Sequence, residues 1–455
     1  MNEPSAGTVE LGRCLVTGCS GYLGGSLARE LLRRGQAVRG FDRAPPEHAL
    51  PDFVRGDVRD FEAVRKACEG VDTVFHTVAL LDFHRFASRP RRERARAINV
   101  TGVENVVRAC RAEGVVRLVH TSTNNVTFGD PVIDGDETWP YASDVRDLYT
   151  QTKIEGEKIA LAANGEGLAT CAIRPGGIYG PGERLIFPRF VEQCARGRFR
   201  AIVGDGSALS DNTFIDNLVD GHIEAARHLA PGSPVCGQAY FVTDGAPINY
   251  FEFFRPYAAA FGVPFPTWRI PAGPVYAIAW LCELLRLPAP AGMTHLEVRK
   301  LAGSHYSRID KARRDFGWVP KVSPEEAVRR CLPYVRKLRE ELELVDRPHW
   351  AWWLAIPFGM ALLAVLAFDA GAHAWWAAHV TSWTPRWLLQ PIFVWAALLH
   401  VYKGMKAVRL AERAGLHASS MGWGWQTFLL GFASLGLLEK RIERLRGRES
   451  GPGGA

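Results

Sequence analysis

Residues 14–24, CLVTGCSGYLG, decide the fold, because an apolar strand from Cys14 to Thr17 runs directly into a glycine-rich turn. A helical pattern, GSLARELLRRG, follows immediately at residues 25–35. This order of strand, turn and helix is typical of the first unit of a doubly wound parallel sheet. Up to about Val345 the chain continues to alternate short apolar runs with longer amphipathic stretches. We therefore predict an α/β fold of the Rossmann type.

The three glycines of this turn each have a physical role in holding a dinucleotide. Gly18 allows the tight turn, Gly21 lets the backbone approach a pyrophosphate, and Gly24 lets the helix pack closely on the strand. The free N–H groups at the start of the helix would meet the phosphates. Three glycines near a turn can also be purely structural. The prediction of a dinucleotide site therefore depends also on the strand before the turn and the helical pattern after it. We expect the neighbouring residues of the turn to contact the cofactor as well: Ser20, Tyr22 and Leu23.

The second strand, Ala37 to Phe41, ends in an acidic residue, Asp42, about 20 residues after the glycines. A carboxylate there can accept hydrogen bonds from the adenosine ribose, which favours NAD. Arg43 follows directly, and its guanidinium could instead hold a 2′-phosphate, so NADP stays open. The alternative interpretation makes Asp42 and Arg43 a solvated turn pair.

Two further strand ends are expected to line the cofactor. Small residues after the strand Thr73 to His76 would let the cofactor lie along the strand ends, and a Gly-Asp-Val turn follows the third strand. His76, His84 and His120 show no metal-ligand spacing, and we interpret them as core or surface residues. The predicted contacts here are Asp57, Val58, Thr77 and Ala79.

A tyrosine and a lysine four residues apart form the predicted reactive pair, Tyr149 and Lys153. This spacing puts the phenol and the ammonium on one face of a helix, where the cation favours the phenolate. Lowering a phenol pKa from about 10 to near 7 takes roughly 4 kcal/mol, which the lysine and an oxidised nicotinamide could supply together. Tyr149 could then take an alcohol proton as hydride leaves, while Lys153 holds the nicotinamide ribose.

Hydroxyl groups at the end of another strand complete the predicted site. The strand Val115 to His120 leads into TSTNN, and ligands of open α/β sheets bind at the carboxyl edge. We prefer Thr123 as the group that hydrogen-bonds the reacting oxygen, with Ser122 as the alternative. A second Y-x-x-x-K, at Tyr402 to Lys406, shows that the tyrosine–lysine spacing alone could be a plain helix-face pair. Only Tyr149 follows the glycine turn and the acidic strand end within one α/β pattern.

The composition changes after Val345. Residues 351–368 form an uncharged apolar run, and two more runs follow, Trp387 to Tyr402 and Met421 to Leu438. The first two could cross a bilayer. Lysine and arginine cluster between the second and third runs, which predicts a cytoplasmic location for that loop and for the catalytic part. We expect two spans with a re-entrant or interfacial third segment; the alternative is a soluble helical cap.

The predicted organisation is therefore a nucleotide-binding domain at 10–175, a mainly substrate-binding region at 176–345 and a membrane-associated tail at 346–445. The net charge of +7 comes from scattered arginines and not from one basic stripe, so we expect no nucleic-acid partner. Nine cysteines without a C-x-x-C pair fit reduced thiols. No cleavable signal is expected at the N-terminus. A homodimer is left open.

These motifs together resemble the extended short-chain dehydrogenases, particularly the 3β-hydroxysteroid dehydrogenase branch. TGCSGYLG at 17–24 is similar to the fingerprint of that family, and YTQTK at 149–153 to its active-site pair. RPGGIYGPG at 174–182 is similar to the loop that borders the nicotinamide, which implies contacts from Pro175 and Ile178. The resemblance continues to FGWVP at 316–320 and covers roughly residues 10–340. One departure is Thr123, where many relatives have serine.

Within that branch the chain resembles in particular the sterol-4α-carboxylate 3-dehydrogenases and related membrane-associated hydroxysteroid enzymes. This implies oxidation of a 3β-hydroxyl of a sterol-like lipid to a ketone, with loss of CO₂ where a neighbouring carboxylate is present. An apolar helix at Ala272 to Leu287 either lines an access route for the lipid or simply packs within the substrate region. The alternatives are a 2-alkyl-3-oxoalkanoate reductase and, from another class, a non-catalytic nucleotide-binding sensor. A sugar-nucleotide epimerase is a further alternative, but that function would not explain the hydrophobic tail.

Overall fold

A seven-stranded parallel sheet organises the first part of the chain, in the order β12-β7-β5-β4-β1-β2-β3. The computed structural model describes residues 8–127, 131–143, 145, 147–285, 287, 294–342, 345–414, 416 and 419–449. The strands of this sheet are β1 Cys14–Thr17, β2 Val38–Asp42, β3 Asp52–Arg55, β4 Thr73–His76, β5 Arg117–Thr121, β7 Ala169–Pro175 and β12 Gln238–Val242. All six pairings are parallel, so every carboxyl end lies at one edge. The strand order reverses beside β1, where such folds bind ligands.

Helices cover both faces of this sheet. The strands are apolar runs, and such strands need a cover on both faces of a parallel sheet. They are α1 Tyr22–Arg33, α2 Phe61–Cys68, α3 Arg89–Arg96, α4 Gly102–Ala112, α5 Leu148–Ala162 and α7 Ile215–Arg227, with a π-helical turn at Ala97–Thr101 and a 3₁₀ turn at Asn124–Thr127. One core cluster joins β1 and β4 to α2 and α4 through residues such as Leu15, Val74, Val64 and Val106. The predicted Rossmann-type fold is confirmed.

Residues after 175 form smaller sheets and helices around that core. They comprise β8 Gly177–Tyr179, α6 Ile186–Ala195, β9 Ala201–Val203, β10 Leu209–Ser210, β11 Asn212–Phe214, β13 Ile248–Asn249, α8 Tyr250–Ala260, β14 Trp268–Ile270, α9 Ala272–Leu284, α10 His295–Ala302, β15 His305–Ser307, α11 Asp310–Phe316 and α12 Pro324–Glu341, joined by β6 Val132–Gly135. The parallel sheet takes its last strand, β12, from this part of the chain. The division at residue 175 stays a prediction.

The chain separates into two compact units, residues 1–340 and 341–455. The second unit contains α13 Trp350–Phe368, α14 Ala370–His379, α15 Arg386–Arg413, α16 Ser420–Leu430 and α17 Phe432–Glu449. Two of these, α13 and α15, have the length and apolar composition to cross a membrane.

The third apolar run is divided into α16 and α17 by Gly431, whose φ is +53°. α16 packs on α15, where a Cβ at Gly424 would lie 2.4 Å from Cγ2 of Val408. Small residues allow such close helix packing. The predicted re-entrant or interfacial location of this run stays a prediction.

Candidate active site

The glycine turn holds α1 tightly on the end of β1. Gly18 has φ +79°, a conformation that glycine adopts without strain. A Cβ at Gly24 would lie 2.2 Å from the Gly18 carbonyl oxygen and 2.7 Å from Oγ1 of Thr77, so only glycine fits there. The residue before α1 is Gly21, which has no side chain to cap the helix. The first-turn N–H groups are therefore suited to hold an anion.

The other predicted residues of this turn lie in different surroundings. Ser20 donates its backbone N–H to Oδ2 of Asp42 over 3.1 Å, and Leu23 is buried. The Tyr22 ring lies beside the loop at 180–182, since a Cβ at Gly180 would be 2.5 Å from its hydroxyl oxygen. Burial raises the pKa of Tyr22.

Asp42 is the last residue of β2, as the sequence predicts, and its carboxylate lies against the glycine turn. Its Oδ1 accepts the backbone N–H of Arg43 over 2.6 Å, while the Arg43 side chain is exposed. Hydrogen bonds from Arg59 lower the pKa of Asp57, and the charge of Arg43 adds a smaller contribution. Arg43 and Asp57 are therefore electrostatic neighbours at this edge.

The end of β4 is tied to its surroundings through polar bonds. Oγ1 of Thr77 donates to the Thr17 carbonyl oxygen over 2.7 Å, while Ala79 is exposed. Val58 is buried, and its backbone carbonyl accepts from the side chain of Asn105 over 2.9 Å.

Sequence reasoning missed Asn99, which lies in the π-helical turn and is buried. Its side chain exchanges two hydrogen bonds with the backbone of Leu80, at 2.7 and 3.0 Å. Its Nδ2 also donates to Oγ1 of Thr152 over 2.9 Å. Asn99 thus joins the segment after β4 to the helix that carries the reactive pair. Its position between the apolar residues Ile98 and Val100 was the available signal.

Tyr149 lies in the first turn of α5 and is 7% exposed. Its backbone N–H donates to the Asp82 carbonyl over 2.9 Å, and the Phe83 ring meets its ring edge-on at 5.1 Å between centroids. Thr123 is also buried, and its Oγ1 accepts the backbone N–H of Asn125 over 3.2 Å. Burial raises the pKa of Tyr149; the Thr123 hydroxyl opposes this shift and the charge of Asp147 adds to it.

Lys153 lies one turn further along α5 and is also buried. Its Nζ donates to the Thr121 carbonyl over 2.5 Å and is 3.5 Å from Nε2 of His120. Burial lowers the pKa of Lys153 to about 8, and the charge of Glu157 acts in the opposite direction. The expectation that Lys153 and a bound nicotinamide together lower the pKa of Tyr149 stays a prediction. The Lys153 ammonium is directed at the Thr121 carbonyl of β5. Burial is the largest influence on the pKa of Tyr149.

Ser122 faces a different environment from Thr123. It is buried, and its hydroxyl contributes to lowering the pKa of Glu157. Glu157 accepts hydrogen bonds from Arg174 at 2.6 Å and from the Tyr141 hydroxyl at 2.8 Å. Burial alone would raise the pKa of Glu157, but these partners outweigh it and the pKa is lowered. Sequence reasoning missed Glu157, although it lies two turns from Tyr149 on the same helix.

The structure brings the predicted residues to one edge of the sheet. The glycine turn, Asp42, Thr77 and Thr123 all follow carboxyl ends of parallel strands, and Pro175 ends β7. Ile178 lies in β8, where it pairs with Thr213 of β11. This edge can hold a dinucleotide beside a pair of hydroxyl groups, which suits proton transfer to or from an alcohol oxygen.

Comparison with known proteins identifies relatives for most of the chain. The model of the 3-beta hydroxysteroid dehydrogenase/isomerase family matches residues 15–272. A Mycobacterium tuberculosis protein named 3 beta-hydroxysteroid dehydrogenase/Delta 5→4-isomerase is 42% identical over 350 residues, covering 74% of this chain and 94% of the relative. The 2-alkyl-3-oxoalkanoate reductase of Stenotrophomonas maltophilia is 40% identical, with 70% and 98% covered.

Two further matches concern the fold and the tail. The UDP-glucose 4-epimerase of Thermus thermophilus, solved in complex with NAD, has a TM-score of 0.56 at 24% identity and covers 71% of this chain and 99% of that chain. This likeness supports the fold alone. Residues 351–440 match the family model of Transmembrane protein 254. The predicted fold, family and class, an NAD(P)-dependent oxidoreductase acting on a CH–OH group, are confirmed. The chain belongs to the 3-beta hydroxysteroid dehydrogenase/isomerase family.

Proposed function

We propose that the protein oxidises the 3β-hydroxyl of a steroid or sterol-like lipid to a ketone, with NAD as hydride acceptor. The observation that carries this proposal is that Thr123, just after the carboxyl end of β5, and Tyr149 of α5 are both buried, and that the Thr123 hydroxyl acts on the pKa of Tyr149. The mycobacterial relative, named for 3β-hydroxysteroid oxidation, supports the substrate class. Where the substrate carries a carboxylate next to the new ketone, loss of CO₂ would follow.

The cofactor fits the residues at this edge, because the glycine packing and the uncapped start of α1 leave backbone N–H groups for a pyrophosphate. The Asp42 carboxylate at the end of β2 would accept hydrogen bonds from the ribose hydroxyls and would repel a 2′-phosphate, which favours NAD. Exposed Arg43 keeps NADP open. The proposed contacts are Gly18, Ser20, Gly21, Tyr22, Leu23, Gly24, Asp42, Arg43, Asp57, Val58, Thr77, Ala79, Pro175 and Ile178.

The protein's own groups would move the proton. Thr123 would hold the substrate oxygen by a hydrogen bond, and Tyr149 would accept the hydroxyl proton, while the bound nicotinamide supplies the hydride acceptor. Lys153 has three N–H donors; one bonds the Thr121 carbonyl and a second lies within reach of Nε2 of His120, so the third would be available for the nicotinamide ribose. Ser122 stays the alternative to Thr123, but its hydroxyl contributes to lowering the pKa of Glu157, which favours a supporting role.

Reduction of a 2-alkyl-3-oxoalkanoate is the second candidate function, favoured by the Stenotrophomonas maltophilia relative. In that direction Tyr149 would donate its proton to the substrate oxygen. Both candidates use a lipid-like substrate and the same residues, so only an assay separates them.

We propose in addition that the tail associates with a membrane through two spans. The support is the length and apolar composition of α13 and α15, and the match to Transmembrane protein 254. Lys403, Lys406, Arg409 and Arg413 lie in the second half of α15. The preference of lysine and arginine for the cytoplasmic side would place this end, and with it the dehydrogenase unit, in the cytoplasm.

The test is steady-state turnover by the full-length protein in detergent. A 3β-hydroxysteroid with NAD or NADP, and a 2-alkyl-3-oxoalkanoate with the reduced cofactors, should be compared. Tyr149→Phe should lower kcat by about 10²–10⁴-fold. The matched control is Tyr402→Phe, which removes the phenol of the second Y-x-x-x-K and should leave kcat unchanged. Full activity in Tyr149→Phe would contradict the proposal, and cofactor binding without any turnover would favour the non-catalytic sensor.

A further inference from the structure

Glu283 and His295 form a buried carboxylate–histidine pair that is separate from the residues considered so far. Their side chains are 5% and 0% exposed, respectively. Nδ1 of His295 is 2.9 Å from Oε1 of Glu283 and 3.0 Å from Oε2. Burial alone would raise the pKa of Glu283, but its hydrogen bonds outweigh burial and the pKa is lowered. An ionised carboxylate only accepts hydrogen bonds, so Nδ1 must carry the proton.

The Glu283 carboxylate also fixes the position of the imidazole, because it joins three segments of the chain. Glu283 belongs to α9, and its Oε1 accepts the backbone N–H of His295, the first residue of α10, over 2.8 Å. Its Oε2 accepts the backbone N–H of Arg85 over 3.1 Å. The hydrogen bond at one ring nitrogen of a histidine determines what the other nitrogen can bind. Glu283 therefore holds His295 in one orientation and one proton arrangement.

The other ring nitrogen, Nε2 of His295, is buried and has no hydrogen-bond partner among the described residues. The neighbouring ring of Tyr276 meets the imidazole edge-on at 6.1 Å between centroids. Buried polar atoms in proteins are almost always paired. Nε2 therefore needs a partner that the described part of the chain does not supply, and a substrate group could be that partner.

The imidazole lies near the predicted active site but not at the reacting hydroxyls. Arg85, which bonds the carboxylate of the pair, is two residues from Phe83, whose ring meets that of Tyr149 edge-on. Burial raises the pKa of Asp147, the residue before α5, and the charge of His295 is one of the influences that oppose this shift. His295 is thus a neighbour of the start of α5, while residues 83–85 lie between it and the tyrosine. A lipid that reacts at Tyr149 would reach His295 with a group further along its length.

We propose that Nε2 of His295 binds a second hydroxyl group of the lipid substrate, at the end remote from the hydroxyl that is oxidised. A hydroxyl can donate and accept a hydrogen bond, so it pairs with Nε2 whether the imidazole is neutral or protonated. A carboxylate is disfavoured there, because the ionised Glu283 on the other side of the ring would repel it. Binding of this hydroxyl rests on the proposed function, since the reacting group must lie at Tyr149.

Steady-state kinetics with two matched steroids test the proposal. The probes are 5α-androstan-3β-ol and 5α-androstane-3β,17β-diol, which differ only in a hydroxyl at the opposite end of the ring system. For the full-length protein in detergent, KM should be about tenfold lower for the diol, because the added hydroxyl pairs with a buried nitrogen. The two steroids should have the same kcat, because a contact far from the reacting carbon stabilises the bound substrate and the transition state equally.

The variant His295→Asn separates recognition from structure. The asparagine amide can still donate to Glu283 from near the Nδ1 position, but it has no atom at the Nε2 position. KM for the diol should therefore rise to the value for the mono-ol, while kcat and the mono-ol KM stay unchanged. His295→Gln places an amide near the Nε2 position and should retain part of the preference for the diol.

The matched control is His84→Asn, because Nδ1 of His84 also lies 2.9 Å from a carboxylate oxygen, that of Asp82, but the His84 side chain is 45% exposed. This substitution should change neither KM value. Equal KM values for the two steroids in the unsubstituted protein would overturn the proposal. An equal loss for both steroids in His295→Asn would also overturn it and assign His295 to the fold alone.

Failure of the proposed function gives a different result. If the protein oxidises neither steroid, the steroid function fails, and the comparison is made in the direction of reduction with a 2-alkyl-3-oxoalkanoate and its ω-hydroxy derivative. A lower KM for the ω-hydroxy compound that is lost in His295→Asn would support the role of His295. Equal KM values would overturn that role, and turnover of neither lipid class would overturn both proposals.

Discussion

Replacing Arg174 with methionine should cost about 3–5 kcal/mol of unfolding free energy, because it leaves a buried carboxylate without its cation. The side chains of Arg174 and Glu157 are 5% and 0% exposed, and their closest N···O distance is 2.6 Å. Among the hydrogen bonds to the Glu157 carboxylate, three come from Arg174 and would be lost, while the Tyr141 bond would remain. The remaining partner cannot compensate for a desolvated charge.

The matched control is Arg184→Met, because the Arg184–Glu47 pair has a similar N···O distance of 2.6 Å but its side chains are 63% and 84% exposed. An exposed pair of this kind contributes roughly 0–1 kcal/mol, so the control should be nearly neutral. Denaturant unfolding of the full-length protein in detergent, followed by tryptophan fluorescence, measures both variants. Equal losses in the two variants would refute the reasoning.

A pH series makes the test sharper. In the unsubstituted protein the pKa of Glu157 is lowered, so its contribution to stability is present at neutral pH and is lost as the pH falls through that pKa. In Arg174→Met burial should raise this pKa, so the folded state gains a proton before the unfolded state does as the pH falls. The stability difference between the two proteins should therefore narrow between pH 7 and pH 4. A difference that does not change with pH would mean that Glu157 is not the group responsible.

Three more predictions concern the site. Gly24→Ala should weaken NADH binding at least tenfold, because the new Cβ would lie 2.2 Å from the Gly18 carbonyl oxygen. The control Gly273→Ala should leave the affinity unchanged, because no atom lies within 4 Å of the new Cβ. Titration calorimetry measures both affinities, and equal values would argue against the glycine turn as the cofactor site. Thr123→Ala should lower kcat about 10–10²-fold while Thr123→Ser keeps most of it, and similar rates for the two variants would exclude the hydroxyl. Burial lowers the pKa of Lys153 from its ordinary 10.5 to about 8. Between these two pH values the unfolded state binds more protons than the folded state, so the contribution of Lys153 to the unfolding free energy rises with pH. The unfolding free energy of the unsubstituted protein relative to Lys153→Met should thus increase by about 3 kcal/mol from pH 7 to pH 10.5, and a flat difference would falsify the depressed pKa.

Features that depend on neighbouring residues could be predicted from the sequence. The strand, turn and helix at residues 14–24 follow from one apolar run and three glycines, and the structure places them as expected. The predicted tyrosine–lysine pair followed from a four-residue spacing within the α/β pattern that begins at the glycine turn. The apolar runs of the tail likewise identified α13 and α15 directly, because length and composition alone decide whether a helix could cross a bilayer.

Features that depend on residues distant in the sequence were decided only by the tertiary structure. Lys153 donates a hydrogen bond to the backbone carbonyl of Thr121, which lies 32 residues away in the sequence. Asn99 joins Leu80 to Thr152. Glu157 of α5 pairs with Arg174 of β7. Spacing along the chain determines which face of a helix or strand a side chain occupies, but burial and the choice of partner are set when distant segments pack. The same sequence that made Tyr149 and Lys153 recognisable therefore could not reveal the pKa of either.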